Sequence, residues 1–277
     1  MLKIFLYTSL ALVAFAFNSI LCRLALRNGA IDPAGFTSVR LISGAVVLIT
    51  LSYFFSKGSS GKRGNWLSAF FLFAYAICFS FAYISLTAGT GALILFGCVQ
   101  LTMIAAALFK GERPGALEWI GLAAALGGLV YLVFPGLSSP PPVSSALMAG
   151  AGIAWGFYTL RGKGSGDPLA DTTGNFIRSV PMVILISIPI ISQMHLSGRG
   201  VLLAILSGAV ASGVGYTIWY AALKHITATR AAIVQLSVPV IAAIGGVLFL
   251  AETATTRLWI AGALILGGIA LTILGRK

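Results

Sequence analysis

Six polar side chains lie well inside long apolar stretches: Asn18 and Ser19, Gln100 and Thr102, Gln235 and Ser237. All are amides or hydroxyls. They donate and accept hydrogen bonds but stay neutral at working pH, so they sort solutes by shape and pairing and do not carry protons. Pro239 adds an acceptor, because a proline within a helix leaves the carbonyl four residues earlier, that of Gln235, without its donor. Such a carbonyl lines a polar cavity, or a neighbouring helix satisfies it. Aromatic residues form a second set. Phe71, Tyr75, Phe79 and Tyr83 recur every four residues and share one helical face. Trp155 with Tyr158, and Tyr216 with Trp219 and Tyr220, come later in the chain. Trp219 and Tyr220 fall near the end of an apolar stretch, where an interfacial aromatic belt accounts for them. Trp155 is nearer the middle of its stretch and is the better cavity residue. Arg40 and Arg178 lie about six residues into their stretches, at matched positions of a repeat. Each is a candidate carboxylate partner, yet at a depth of about 9 Å the stronger expectation is snorkelling to headgroups.

Other chemistries lack their residues. The six acids are Asp32, Glu112, Glu118, Asp167, Asp171 and Glu252, and each lies in or beside a connection. Neither His195 nor His225 falls mid-stretch, so no proton relay of the usual intramembrane type is visible. No phosphate-binding loop, metal-ligand spacing or nucleophile–base pair occurs, so no catalytic residue, metal or cofactor is expected. Cys22, Cys78 and Cys98 sit within apolar stretches as small hydrophobes.

The elements that position these groups follow from composition. Hydrophobic residues make up 58% of the 277 and charged residues 9%, with a mean hydropathy of +1.01. A water-soluble domain carries about a quarter charged residues. Ten apolar runs, each long enough for a membrane helix, cover about 4–26, 34–56, 66–87, 90–109, 115–134, 145–162, 172–192, 199–222, 226–250 and 257–275. The expected fold is an all-α polytopic membrane protein. The first run is longer than a signal-peptide core and lacks a cleavage site, so it reads as a span. The net charge of +12 does not call for nucleic acid. With the N-terminus cytoplasmic, inner connections and ends hold eleven basic residues and outer ones hold Arg27, Arg199 and Arg257, the positive-inside bias. Both termini are then inside.

The chain also repeats itself. "ALFKGERPGALEWIGLAAALGGLVYLVF" (107–134) aligns without a gap on "VLFLAETATTRLWIAGALILGGIALTIL" (247–274). A matched Glu, a matched Trp and a paired Gly-Gly set this apart from chance. "NGAIDPAGFTSVR" (28–40) is echoed by "GSGDPLADTTGNFIR" (164–178), and "FAYISL" (81–86) by "IWYAAL" (218–223). The halves, 1–135 and 145–277, flank a Pro/Ser-rich linker at 136–144. Five spans per half is an odd number, which makes ten transmembrane helices two inverted five-helix repeats, a recurring transporter architecture. Ala123 and Gly127, like Ala263 and Gly267, are small residues four apart, a spacing that lets the fifth and tenth spans pair closely.

In Glu112 through Gly128, and in "PVIAAIGGVLFLAE" from Pro239 to Glu252, each half ends as a Glu, a short polar turn and a Gly-Gly helix. This resembles the EamA-type members of the drug/metabolite transporter superfamily. The first half departs from the pattern, with Gln100 near the usual proline position and one residue fewer before Glu112. The resemblance implies a secondary transporter of a bacterial inner membrane that exports amino acids or related small metabolites. The aromatic residues favour aromatic or bulky apolar ones, as in YddG-like exporters. Its expected partners are the small-molecule substrate and the bilayer, as monomer or homodimer. A membrane-embedded enzyme or accessory subunit handling lipid-linked intermediates is the alternative.

Overall fold

Apolar runs of this length close all their backbone hydrogen bonds internally only as helices, and the described residues of the computed structural model form helices joined by short connections. These are 2–55, 64–109, 115–134, 136, 139–162, 165–223 and 234–275. Glu112 and His225 lie outside them. The helices are α1 (Leu2–Arg27), α2 (Pro33–Phe55), α3 (Trp66–Ala82), α4 (Ala88–Phe109), α5 (Ala116–Val133), α6 (Pro142–Gly162) and α7 (Pro168–Ser187). Then follow α8 (Gly198–Ile205), a π-helical stretch (Leu206–Val214), α9 (Gly215–Leu223), α10 (Ser237–Leu250) and α11 (Thr256–Leu274). Among the described residues, seven segments are long and apolar enough to cross a membrane: α1, α2, α4, α5, α6, the rod from Gly198 to Trp219, and α11. The apolar helices α3 and α10 are shorter.

Among the boundaries that differ from the expected ones, two have local reasons. The third helix stops at Ala82, not 87, and the chain turns over residues 83–86. Arg23 stabilises that turn by donating from Nη1 to the carbonyls of Tyr83 (3.0 Å) and Ile84 (2.7 Å). The seventh helix starts at Pro168, four residues before the apolar run. Asp167 caps it by accepting from the Ala170 N–H at 3.1 Å, and proline suits the first helical position because its missing N–H would be unpaired there anyway.

Packing pairs the halves element by element. α2 lies on α7, and α5 on α11. α3 packs on α6 as α8 and α9 pack on α1, and α4 packs on α6 as α10 packs on α1. The α5–α11 contact uses a different register from the expected one. A Cβ added to Gly127 or Gly267 would meet nothing within 4 Å, whereas one on Gly121 would strike the Gly268 carbonyl oxygen and one on Gly268 that of Gly121. The pairing therefore runs through Gly121, Ala125 and Gly128 against Ile265, Gly268 and Thr272. Each expected glycine lies one position from one that packs, about 100° around the helix.

Both ends of the bundle are tied across elements. At the α1–α2 end, Ile31 bridges Leu196. The Asp32 carboxylate there accepts from the His195 N–H at 3.0 Å and the Gly35 N–H at 2.8 Å. Arg23 pairs with Glu252 at 3.2 Å, and Glu252 also accepts from the Ala88 N–H at the start of α4. Arg27 donates to the Leu250 carbonyl. At the opposite end, Asp171 accepts from the Gly64 N–H and Asn175 from the Asn65 N–H, while Arg161 reaches Ser68 and Asn65.

Candidate functional site

Arg40 is 2% exposed and enclosed by side chains from both halves. It does not snorkel. Its Nη2 donates to the Tyr75 hydroxyl at 2.9 Å and to Ser212 Oγ at 3.4 Å. The guanidinium carbon lies 4.9 Å from the Phe79 ring centroid and 5.2 Å from that of Tyr75, within the range of cation–π attraction. Nη1 is buried and has no hydrogen-bond partner among the described residues. Among the described residues no acidic side chain is in ion-pair range of Arg40; the pair there is Arg23 with Glu252.

Backbone approach fixes this position. A Cβ on Gly208 would collide with the Arg40 carbonyl oxygen, and one on Gly44 would stand 3.2 Å from the Gly208 carbonyl. Glycine at both sites lets α2 and the π stretch touch main chain to main chain. The π stretch bonds five residues apart, which brings Ser207 and Ser212 to one face. Both hydroxyls donate to Asn18 Oδ1, at 2.7 and 3.4 Å. In the register that aligns 81–86 with 218–223, Tyr75 and Ser212 are counterparts, so Arg40 is held by the same position of both halves.

An aromatic cluster continues from Tyr75. Trp155 lies 4.8 Å from Tyr75, 5.3 Å from Tyr158 and 5.3 Å, stacked, from Tyr216 (ring centroids). Phe15 packs edge-on against Tyr216 and Trp219, both at 5.7 Å. Trp219 is 6% exposed, so it belongs to this cluster and not to an interfacial belt. The side chain of Tyr220 lies outside the described residues.

The structure thus brings Asn18, Arg40, Trp155, Tyr158 and Tyr216 into one connected centre. Ser19 and Tyr83 are buried toward the α1–α2 end, where Tyr83 packs edge-on against Phe79 at 4.7 Å and donates to the Ala88 carbonyl at 3.2 Å. Gln100 is buried on α4, Gln235 half-buried, and Pro239 buried in α10. Thr102 and Ser237 turn their hydroxyls onto their own chain segments, toward the Cys98 and Val234 carbonyls. The contacts that define the centre do not run through these four polar residues of α4 and its counterpart. Arg178 is half-buried, donates to the Gly174 carbonyl at 2.9 Å, and lines a groove with Ser52, Tyr53, Trp66 and Thr173. It is not at the position matching Arg40: it is the eleventh residue of its helix and Arg40 the eighth.

Sequence reasoning missed Ser207, Ser212 and Phe15. A usable signal is the pair of Ser-Gly steps five residues apart, at 207–208 and 212–213. It also passed over Arg23, an arginine within an apolar span and therefore in need of a partner.

The profile of the EamA-like transporter family matches the chain twice, over residues 2–134 and 144–274. The chain belongs to the EamA-like transporter family. This EamA protein is 49% identical to "Uncharacterized protein PA1977" of Pseudomonas aeruginosa, over 98% of its own length and 94% of that protein. It is 30% identical to the "Threonine/homoserine exporter RhtA" of Escherichia coli over 63% of this chain and 60% of the exporter. A solved crystal structure shares its fold, with a TM-score of 0.69 at 20% identity over 98% of both chains. Membership makes the chain an integral membrane protein of a transporter family, and the alternative of an enzyme falls with it.

Proposed function

We propose that this EamA protein exports amino acids, aromatic or bulky apolar ones foremost, across a bacterial inner membrane by alternating access between inverted halves. One observation carries the reading: side chains of α1, α2, α3, α6 and the α8–α9 rod, drawn from both halves, meet around a single buried polar and aromatic centre. A site held equally by two halves changes its exposure when they rock. The exporter RhtA supports amino acids as the substrate class. With both termini cytoplasmic, the Arg23–Glu252 ties close the outer end and the Asp171, Asn175 and Arg161 ties brace the inner end.

Transport is facilitated, down the substrate's own gradient. The groups of the centre are an arginine, amides, hydroxyls and rings, and none of these exchanges a proton at working pH. The test is counterflow of L-phenylalanine and L-threonine in proteoliposomes containing only this protein, with and without an imposed pH gradient at fixed membrane potential. Exchange that ignores the pH gradient is expected. Uphill accumulation driven by the pH gradient alone would sink the facilitated mechanism, and no exchange of either solute would sink the exporter.

A further inference from the structure

We infer that Arg40 is an anion-binding residue whose Nη1 receives the carboxylate of the transported amino acid, with the substrate side chain set against Trp155 and Tyr216. The inference rests on the exporter reading above.

The electrostatics of the centre are one-sided. Arginine keeps its charge in proteins, and a cation withdrawn from water without a counter-charge carries a penalty of several kcal/mol. Here its surroundings are two hydroxyls and two ring faces, all neutral. They satisfy Nη2 and attract the guanidinium, but they cancel no charge. Among the described residues Nη1 is left buried without an acceptor, although guanidinium pairs with carboxylate by two parallel bonds when both nitrogens are available.

A structural role does not account for this arrangement. Arginines that brace this fold end on acceptors: Arg23 on Glu252 and two carbonyls, Arg161 on Ser68 and Asn65, and Arg257 on the carbonyls of Tyr131 and Phe134. Among the described residues, Arg40 is the one arginine that is fully buried and the one with a buried, unpaired nitrogen. Methionine would fill its volume among Tyr75 and Phe79 without the penalty.

The chemistry selects a class of anion. One cation among neutral groups balances one negative charge, which fits a monocarboxylate better than a phosphate dianion. Tyr75 links the two parts of the site, since its hydroxyl holds Arg40 while its ring packs on Trp155. A carboxylate on Nη1 therefore has an aromatic wall beside it, suited to an apolar side chain.

The experiment compares L-phenylalanine with L-phenylalaninamide, which differs by the loss of the carboxylate charge, in counterflow by the full chain. Wild-type protein is expected to move the amide at least tenfold more slowly than the acid, and inorganic phosphate at equal concentration to leave acid flux unchanged. Arg40→Met should lower acid flux at least tenfold while its detergent-solubilised melting temperature stays at or above the wild-type value. Equal flux of acid and amide in wild type would remove Arg40 from this role and leave the exporter reading standing. An Arg40→Met protein that melts early or fails to fold would make the arginine structural, and inhibition by phosphate would overturn the carboxylate class. Wild-type protein that moves neither phenylalanine nor threonine would bring down the exporter reading and this inference with it.

Discussion

Arg40 and Arg178 follow the same Asp-Pro signal in the two halves and meet opposite fates. Arg40 is sealed among Tyr75, Phe79 and Ser212. Arg178 sits in a groove beside Tyr53, which is 83% exposed, and Trp66, which is 60% exposed. Three helical positions separate them, about 4.5 Å of depth and 60° of rotation. Counted from the Asp-Pro step, the true counterpart of Arg40 is Asn175, and that amide is tied to the Asn65 main chain at one end of the bundle. Duplication supplied the backbone twice. The charge was placed at the centre once, so the two halves are alike as scaffolds and unlike as chemistry.

The sharpest way to break this comparison is to neutralise each arginine in turn. Arg40→Met should lower amino-acid counterflow by about tenfold or more, the equivalent of losing about 1.4 kcal/mol or more of substrate interaction. Next comes the main-chain contact that seats Arg40. Gly208→Leu forces a side chain into the Arg40 carbonyl, and overpacking of this kind costs about 1–3 kcal/mol or more. A lower melting temperature and lost flux are expected together, whereas Gly127→Leu, with open space around it, should change neither. A flux loss in Gly127→Leu of the same size would mean that the α5–α11 register is wrong.

Smaller effects sharpen the picture. Tyr75→Phe deletes the hydroxyl on Nη2 but keeps the ring on Trp155. Hydrogen bonds to charged groups contribute about 1.5–3 kcal/mol, and Ser212 remains as a second acceptor, so a several-fold rise in the half-saturating substrate concentration is expected with near-normal maximal flux. The smallest effect belongs to Arg178→Met, for which flux within about twofold of wild type is expected; its charge lies near the bundle end, where headgroups and water screen it. A loss there comparable to Arg40→Met would erase the distinction between the two halves.

The sequence made much of this scaffold legible. Hydrophobic run length specifies helices in a solvent without hydrogen bonds, and the repeated Glu, Trp and Gly-Gly exposed a duplication. Asn18, Trp155 and Tyr216 stood out because polar or amphipathic groups within apolar runs need partners. What stayed hidden depends on neighbours distant in sequence. The depth of Arg40 along its own helix argues for snorkelling, and only Tyr75 and Ser212, 35 and 172 residues away, hold it inward. Gly-Gly pairs leave the phase of α5 and α11 ambiguous by one position, about 100°. The composition of Leu206–Val214 is as suited to an α-helix as to a wider turn, and only packing on α2 distinguishes them.

That wider turn has a consequence for how the family can diversify. A nine-residue π stretch closes each hydrogen-bonded ring one residue later than an α-helix does, so the rod tolerates a change in length that a regular helix would not. Deleting one residue within 206–214 lets the stretch close as ordinary helix, and the loss is absorbed there, whereas the same deletion in a regular helix would turn everything beyond it by about 100°. Tyr216 and Trp219 would then still face Phe15 and Trp155, while Ser207 and Ser212, inside the stretch, would lose the common face on which they meet Asn18 and Arg40. A single codon lost here would thus recut the polar half of the site in one step and keep its aromatic half, where point substitution would need several changes.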